Sequence, residues 1–357
     1  MKQTMKVGLA LSGGGAIGAY EAGVVKALAE SRTSVHMVSG ASIGALNGAI
    51  IASSSGLPQA AERMVEIWRH LGNSTVLSVN KSAYLSVLLQ FGIGMGFSPM
   101  LSKTGSMLST VLNRAALITG IKGFENQPLL SDQPLIALID SYLDMNALAI
   151  GLPLFVSLYP TEGGLKDIAN CIAAELGLGS TRDSEFYHVQ NLPLDQQKEA
   201  LLASAALPLL FKPREVNGTY YSDGGMGGWA STQGNTPVTP LVEAGCNMVI
   251  VTHLSDASLW DRKTFPDTIV LEIRPQRSLR RNDGALGGAK DLLGFTAMHI
   301  DSWIEQGYQD TMSILDRINK PLQAHDTLQA SSSALERSLV GNATVDSVLK
   351  NVMSRLK

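Results

Sequence analysis

Gly40, Ser42 and Gly44 form the pattern G-x-S-x-G, which restricts this part of the chain more than any other feature does. A short apolar segment at 35–38 predicts a strand before the pattern, and small residues at 45–53 predict a helix after it. A sharp strand–turn–helix connection holds its serine in a strained conformation and exposes the hydroxyl above the sheet. Ser42 is therefore a candidate nucleophile, although an ordinary glycine-rich turn has the same pattern.

A second glycine-rich turn, S-G-G-G-A-I-G at 12–18, also joins a predicted strand to a predicted helix. Its backbone N–H groups at a helix start can bind an anion. A nucleotide loop would need an acidic residue about 20 residues later or a lysine inside the loop, and neither is present. An oxyanion hole needs only backbone donors beside a nucleophile. Gly13, Gly14 and Gly15 are therefore predicted to supply these donors next to Ser42.

Composition and charge narrow the range of functions. Of the 357 residues, 45% are hydrophobic and 17% are charged, which is typical of a well-buried α/β protein. A net charge of −3 gives no basic footprint, so nucleic acid is not a predicted partner. Cys171 and Cys246 provide neither a disulfide framework nor metal-ligand spacing. The sequence thus predicts no metal site.

The first residues carry no signal-peptide pattern, because the segment 1–6 leads directly into a predicted strand. A cytoplasmic location is the prediction, with peripheral contact to a membrane. Delivery by a signal-independent secretion system is compatible with the same sequence.

A predicted hairpin at 211–225 turns at Asn217-Gly218 and brings Asp223 into the sequence Asp-Gly-Gly. Two glycines after a carboxylate have no side chains to shield it, so the carboxylate can approach another loop. In isolation, an ordinary turn aspartate is the commoner interpretation. In a chain that also has an elbow serine and a glycine-rich loop, Asp223 becomes a candidate base for Ser42.

Histidine is the alternative base. The order Ser42, Asp223, His253 matches the triad order of α/β-hydrolases. In that fold several strands precede the elbow, whereas only two strands fit ahead of Ser42, and His253 ends an apolar strand without a loop signature. All histidines are therefore interpreted as structural or surface residues, with the triad kept as the alternative. The histidines are His36, His70, His188, His253, His299 and His325.

Residues 82–102 contain no Lys, Arg, Asp or Glu and lie between Lys81 and Lys103. This length could cross a bilayer, but three glycines and Pro99 would interrupt a helix. The run is predicted to form a lid-like helical hairpin or a segment that touches the membrane interface, within an insertion at 82–130. A true membrane span is the least favoured of the three interpretations.

Three ordered blocks of this sequence resemble those of the patatin-like phospholipases, and the resemblance covers roughly residues 5–315. It implies a three-layer α/β/α fold with a mostly parallel central sheet. The family's oxyanion loop commonly carries arginine where this chain has Ile17, which affects the expected head-group contact more than the acyl chemistry. The blocks are Gly13-Gly14-Gly15-x-x-Gly18 for the oxyanion loop, Gly40-Ala-Ser42-Ile-Gly44 for the elbow and Asp223-Gly224-Gly225 for the aspartate motif, with support from Ala203-Ser204-Ala205-Ala206-x-Pro208 and Asn235-x-Pro237-Val238.

The resemblance implies a Ser42–Asp223 dyad, an acyl-enzyme and hydrolysis of phospholipids or other fatty-acyl esters, as in a phospholipase A or a lysophospholipase. It implies no metal and no cofactor, and it makes a membrane surface an expected partner. An acyltransferase using the same nucleophile and a non-catalytic lipid-binding relative are the alternatives. A regulated membrane-degrading effector, held inactive until a ligand or protein activates it, fits the same motifs.

The predicted domain organisation is a catalytic domain at 1–318, with the insertion inside it, and a helical tail at 319–357. Within 320–357 the pattern predicts two short amphipathic helices separated at Gly341-Asn342. Neither the tail nor the uncharged run is covered by the family resemblance.

Overall fold

The computed structural model describes residues 4–73, 132–175, 179–208, 211–228, 231–255, 258, 260–282, 291 and 294–356. The predicted insertion at 82–130, with its uncharged run, lies outside the described residues. The chain divides into two compact units, Met1–Thr311 and Met312–Lys357. The predicted boundary at residue 318 remains a prediction.

An eight-stranded sheet organises the first unit. In chain order its strands are β1 Val7–Leu11, β2 Met37–Gly40, β3 Leu154–Pro160, β4 Glu185–His188, β5 Arg214–Val216, β6 Thr219–Asp223, β7 Met248–Thr252 and β8 Ile269–Ile273. Followed from each strand to a hydrogen-bonded neighbour, the order is β5-β6-β3-β2-β1-β7-β8, and β4 also pairs with β3. The ladders β1–β2, β1–β7, β2–β3 and β7–β8 are parallel, whereas β3–β4, β3–β6 and β5–β6 are antiparallel. The predicted mostly parallel sheet is confirmed.

Helices flank this sheet, as the predicted α/β fold requires. They are α1 Ala19–Glu30, α2 Ile43–Ala52, α3 Leu57–Asn73, α4 Gln133–Tyr142, α5 Met145–Ala149, α6 Gly164–Glu175, α7 Leu194–Ser204, α8 Thr239–Glu243 and α9 Ala297–Arg355. Strand β1 is buried along its whole length, as expected for the central strand of a parallel sheet. In contrast, α3 buries one stripe that includes Met64, Ile67 and Trp68, and leaves its other face to solvent.

Strand β3 pairs along one edge with two other strands in succession. It pairs with β4 over 155–158, with β2 over 154–156 and with β6 over 158–160. Because a strand has two edges and β4 shares positions 156 and 158 with the other two strands, β2 and β6 must both lie on the opposite edge. One runs parallel to β3 and the other antiparallel, so their carboxyl ends face each other beside Ser157. The residues that follow these two ends therefore meet.

In the second unit, helix α9 continues to Arg355, and the predicted break at Gly341-Asn342 is wrong. Glycine lowers helix stability by about 1 kcal/mol, which is too little to end a helix by itself. Exposed apolar side chains in this unit include Leu335, Val348 and Leu349. No helix in the described part of the chain combines the length and the apolar character needed to cross a membrane.

Candidate active site

Ser42 lies at the sharp turn between β2 and α2, with φ 52° and ψ −125°. This region of backbone space is unfavourable for any residue other than glycine. The turn is tight, since the N–H of Gly44 donates to the carbonyl oxygen of Ala41 at 2.8 Å. A methyl group at Gly40 would lie 2.3 Å from the carbonyl oxygen of Gly44. The two glycines of the pattern are thus required by close backbone contact.

Ser204 holds the strained turn in place. The backbone N–H of Ser42 donates to Ser204 Oγ at 3.0 Å, and the Ser204 hydroxyl donates to the carbonyl oxygen of Ser157 at 2.8 Å. All three serines are buried, with Ser42 9% exposed. The elbow is therefore connected to α7 and β3 by hydrogen bonds that the sequence pattern did not reveal. The only signal was the family-like segment around Ser204.

Asp223 ends β6 and is fully buried. Its Oδ1 accepts a hydrogen bond from the N–H of Gly225 at 2.9 Å. Its Oδ2 meets no donor with hydrogen-bond geometry among the described residues. The Ser42 hydroxyl nevertheless interacts with this carboxyl closely enough to lower its pKa. The two side chains are therefore neighbours, and Oδ2 remains available as an acceptor.

Burial determines the acidity of this carboxyl. It raises the pKa of Asp223 to about 6, while the Ser42 hydroxyl and the Gly225 N–H act in the opposite direction. No charged neighbour is among the causes of this pKa shift. A carboxylate with a pKa near 6 is a stronger base than an ordinary aspartate and is still ionised at neutral pH.

The glycine-rich loop lies directly against the elbow. A methyl group at Gly13 would be 3.1 Å from Cβ of Ser42. The N–H of Gly13 donates to the carbonyl oxygen of Asn235 at 3.2 Å, whereas the N–H groups of Gly14 and Gly15 donate to no residue that the structure describes. Gly15 has φ 56°, a left-handed conformation that favours glycine. Of the three predicted donors, two therefore remain free.

Asn235 joins the glycine-rich loop to the Asp-Gly-Gly loop. Its backbone carbonyl oxygen accepts from the Gly13 N–H. Its side-chain Oδ1 occupies the space that a methyl group at Gly13 or Gly225 would need, at 2.5 and 2.7 Å. In the sequence, Asn235 is recognisable only as part of a family-like segment. Its position explains why both loops need glycine where they face each other.

The remaining predicted glycines also lie at close contacts. A methyl group at Gly44 would be 2.6 Å from the carbonyl oxygen of Leu11, and one at Gly224 would be 1.9 Å from that of Ser157. At Gly18 the nearest atom would be Cγ2 of Ile43, at 2.8 Å. Substitution at Gly44 or Gly224 would displace backbone that carries part of the site, whereas substitution at Gly18 would require the Ile43 side chain to shift.

His253 follows β7, and β1 lies between β7 and β2 in the sheet. The side chain is 1% exposed, and its Nε2 lies 3.2 Å from Glu272 Oε2. Burial lowers the pKa of His253, and Glu272 partly opposes this change. The ring thus interacts with β8, on the side of β7 away from β2. Across the described residues, no group of three or more His, Cys, Asp or Glu side chains is arranged to hold a metal ion.

Comparisons with known proteins agree with the motifs. A family model described as patatin-like phospholipase matches residues 9–242. A segment of 70 residues is 41% identical to lysophospholipase nte1 of Aspergillus terreus, but covers 18% of this chain and only 5% of that protein. Among solved structures, VipD from Legionella pneumophila is 15% identical with a TM-score of 0.36, covering 88% of this chain and 67% of VipD. The ExoU–SpcU complex from the Pseudomonas aeruginosa type III secretion system is 15% identical with a TM-score of 0.34, covering 88% of this chain and 51% of the matched one.

Proposed function

The chain belongs to the patatin-like phospholipase family, and we propose that it hydrolyses fatty-acyl esters of lipids with Ser42 as nucleophile and Asp223 as its base. One observation carries this proposal. The carboxyl ends of β2 and β6 face each other along β3, so the strained elbow serine lies beside a buried carboxylate with an open oxygen. A serine hydroxyl needs such a base in order to attack an ester.

In the first step, Ser42 Oγ attacks the ester carbonyl and its proton passes to Asp223 Oδ2. The carbonyl oxygen becomes an oxyanion that accepts hydrogen bonds from the N–H groups of Gly14 and Gly15. Each such donor stabilises the transition state by about 2.7–4 kcal/mol in well-studied hydrolases. The N–H of Gly13 is assigned a different role, because it already donates to Asn235.

In the second step, the tetrahedral intermediate expels the alcohol, which takes the proton back from Asp223. Water then attacks the acyl-enzyme while Asp223 takes up its proton. The second tetrahedral intermediate breaks its bond to Ser42 Oγ, which recovers the proton from Asp223, and the fatty acid is released. His253 has no part in this scheme, because its Nε2 is engaged with Glu272 and β1 separates β7 from β2. A dyad therefore explains the geometry better than the alternative triad does.

For the substrate we propose phospholipids or lysophospholipids at a membrane surface. Family membership supports a lipid ester, and the run 82–102, which lacks Lys, Arg, Asp and Glu, supports contact with lipid from its sequence alone. An activating ligand or protein fits the same proposal.

Lipid analysis of defined liposomes tests the activity. We expect the wild-type protein to release free fatty acid and lysolipid, and the Ser42→Ala variant to release neither. Addition of an acceptor alcohol tests for acyl transfer, because a transferase would convert the fatty acid into a new ester. Hydrolysis that survives in folded Ser42→Ala protein would exclude Ser42 as the nucleophile.

A further inference from the structure

Glu21 is a fully buried acid in α1 that the proposed chemistry does not use. Its Oε1 accepts hydrogen bonds from the N–H of Ser12 at 2.9 Å and from the Thr252 hydroxyl at 2.7 Å. Its Oε2 accepts from Nδ2 of Asn47 at 2.9 Å. Ser12 is the residue where β1 passes into the glycine-rich loop. This carboxylate thus holds the beginning of the loop.

Asn47 completes the arrangement from the other side. It lies on α2, the helix that starts directly after Ser42. Its Nδ2 also donates to the carbonyl oxygen of Gly18 at 3.1 Å, at the end of the same loop. Its Oδ1 accepts from Nε1 of Trp68 at 3.1 Å, which fixes the orientation of the amide. Through Glu21 and Asn47, both ends of the glycine-rich loop are connected to the helix behind the nucleophile.

We propose that Glu21 and Asn47 form a positioning pair that sets the distance between the glycine-rich loop and Ser42. This inference rests on the proposed function, because the distance matters only if the loop stabilises an oxyanion formed at Ser42. The donors of Gly14 and Gly15 lie between the two attachment points, Ser12 and Gly18.

The physical reason is the sensitivity of an oxyanion hole to geometry. A displacement of about 1 Å can lower a rate by about 100-fold. Glycine residues give the loop little conformational restriction of its own, so its shape has to be imposed at its ends. A buried carboxylate that accepts several hydrogen bonds suits this task, because breaking one of them leaves an unpaired buried group. Burial raises the pKa of Glu21 to about 7, and its three donors oppose the change.

Two single variants and their combination test the pair. Glu21→Gln places an amide donor opposite the donor of Asn47, and Asn47→Asp places two carboxylates opposite each other. In the double variant Glu21→Gln/Asn47→Asp, the introduced amide can again donate to the introduced carboxylate, and one negative charge remains. Asp167→Asn is the matched control, since Asp167 is also a buried carboxylate but binds Thr161 and the N–H of Glu162.

The readouts are kcat and KM for a soluble short-chain ester, together with amide hydrogen exchange across 12–18. We expect each single variant to lower kcat by about 100-fold with little change in KM, and to speed exchange in the loop. The double variant should recover about tenfold of the lost kcat and not all of it, because a carboxylate at position 47 has no donor for the Gly18 carbonyl oxygen. The Asp167→Asn control should keep kcat within about threefold of wild type.

Where a single variant does not fold, Thr252→Val replaces it, because it removes one donor to Glu21 and keeps the carboxylate. We expect about a tenfold lower kcat from this change, the equivalent of about 1.4 kcal/mol. Folded single variants with wild-type kcat and wild-type exchange would overturn the positioning pair while Ser42→Ala remains inactive. Activity in Ser42→Ala would instead overturn the proposed function itself.

Discussion

Asp223 and Glu21 are both fully buried carboxyls in the first unit, and burial raises the pKa of each, to about 6 and about 7. Their surroundings differ in hydrogen bonding. Glu21 accepts three hydrogen bonds, which involve both of its oxygens. Asp223 accepts one at Oδ1, and its Oδ2 finds no partner in the described part of the chain.

The contrast shows what separates a structural acid from a chemical one in this molecule. A buried carboxylate with donors on both oxygens holds elements together, and neither oxygen is open toward substrate or nucleophile. A buried carboxylate with an open oxygen destabilises the folded state by about 1–3 kcal/mol and is available as a base. Destabilising features of this kind are common at catalytic sites. The comparison leads to four predictions about these two groups and the rejected histidine.

The largest effect is expected from Asp223→Asn. An amide keeps the shape of the side chain but cannot take up the proton of Ser42. We expect kcat to fall by about 100- to 10,000-fold, the usual contribution of a general base. Ester hydrolysis, with circular dichroism to confirm folding, measures it, and a loss below tenfold would remove Asp223 from the mechanism.

The same substitution should stabilise the protein at high pH. The pKa of Asp223 is about 6 in the folded protein and about 3.9 in an unfolded chain, so the folded state binds the proton more tightly. Stability from this group is complete below about pH 3.9 and is lost as pH rises through about 6. At pH 8, Asp223→Asn should therefore gain about 1–3 kcal/mol in the free energy of unfolding.

Denaturant titration of wild type and Asp223→Asn at pH 4 and pH 8 checks this expectation. At pH 4 the wild-type carboxyl is protonated in the folded protein and, like the amide, carries no charge. The difference in the free energy of unfolding between Asp223→Asn and wild type should therefore be smaller at pH 4 than at pH 8. An equal difference at both values would mean that the carboxylate is not held in an unfavourable environment.

The pH dependence of activity distinguishes the two acids directly. Because Asp223 acts in its ionised form and burial raises its pKa to about 6, kcat/KM should fall about tenfold per pH unit below that value. In Glu21→Gln the activity is expected to be lower at every pH, but the fall of kcat/KM below about pH 6 should remain. Its disappearance in Glu21→Gln would assign the titrating group to Glu21 and reverse the comparison.

The smallest effect is expected from His253→Ala. The ring interacts with Glu272 and Trp260, and its loss should change kcat by less than about tenfold, or about 1.4 kcal/mol in the barrier. Ester hydrolysis by the folded variant measures this. A variant as inactive as Ser42→Ala would restore the Ser–Asp–His triad.

Local patterns were sufficient to predict the elements that carry the site. Helix α1 follows the glycine-rich turn as predicted, and the hairpin between β5 and β6 turns at Asn217 and Gly218, with φ 50° and 78°, as its sequence requires. The elbow and the Asp-Gly-Gly turn are short, and glycine determines their geometry. These features depend on neighbours in sequence, which a pattern can read.

Contacts between distant residues were not predictable in this way. Ser204 is 162 positions from the Ser42 N–H that it accepts, and Asn235 is 222 positions from Gly13. Glu21 did have a local signal, because it is an acid in a helix that is otherwise apolar through residue 25. Only the tertiary structure shows which donors surround it and which N–H of the glycine-rich loop is already occupied.

The most direct test of the central claim is the rate and position of labelling by a fluorophosphonate, followed by intact-protein and peptide mass spectrometry. The probe reacts only with a serine that a neighbouring base activates. We predict a single label on the peptide containing Ser42, slowed at least about 100-fold by Asp223→Asn and less than about tenfold by His253→Ala. A label on another residue, or unchanged labelling of Ser42 in Asp223→Asn, would contradict the proposed dyad.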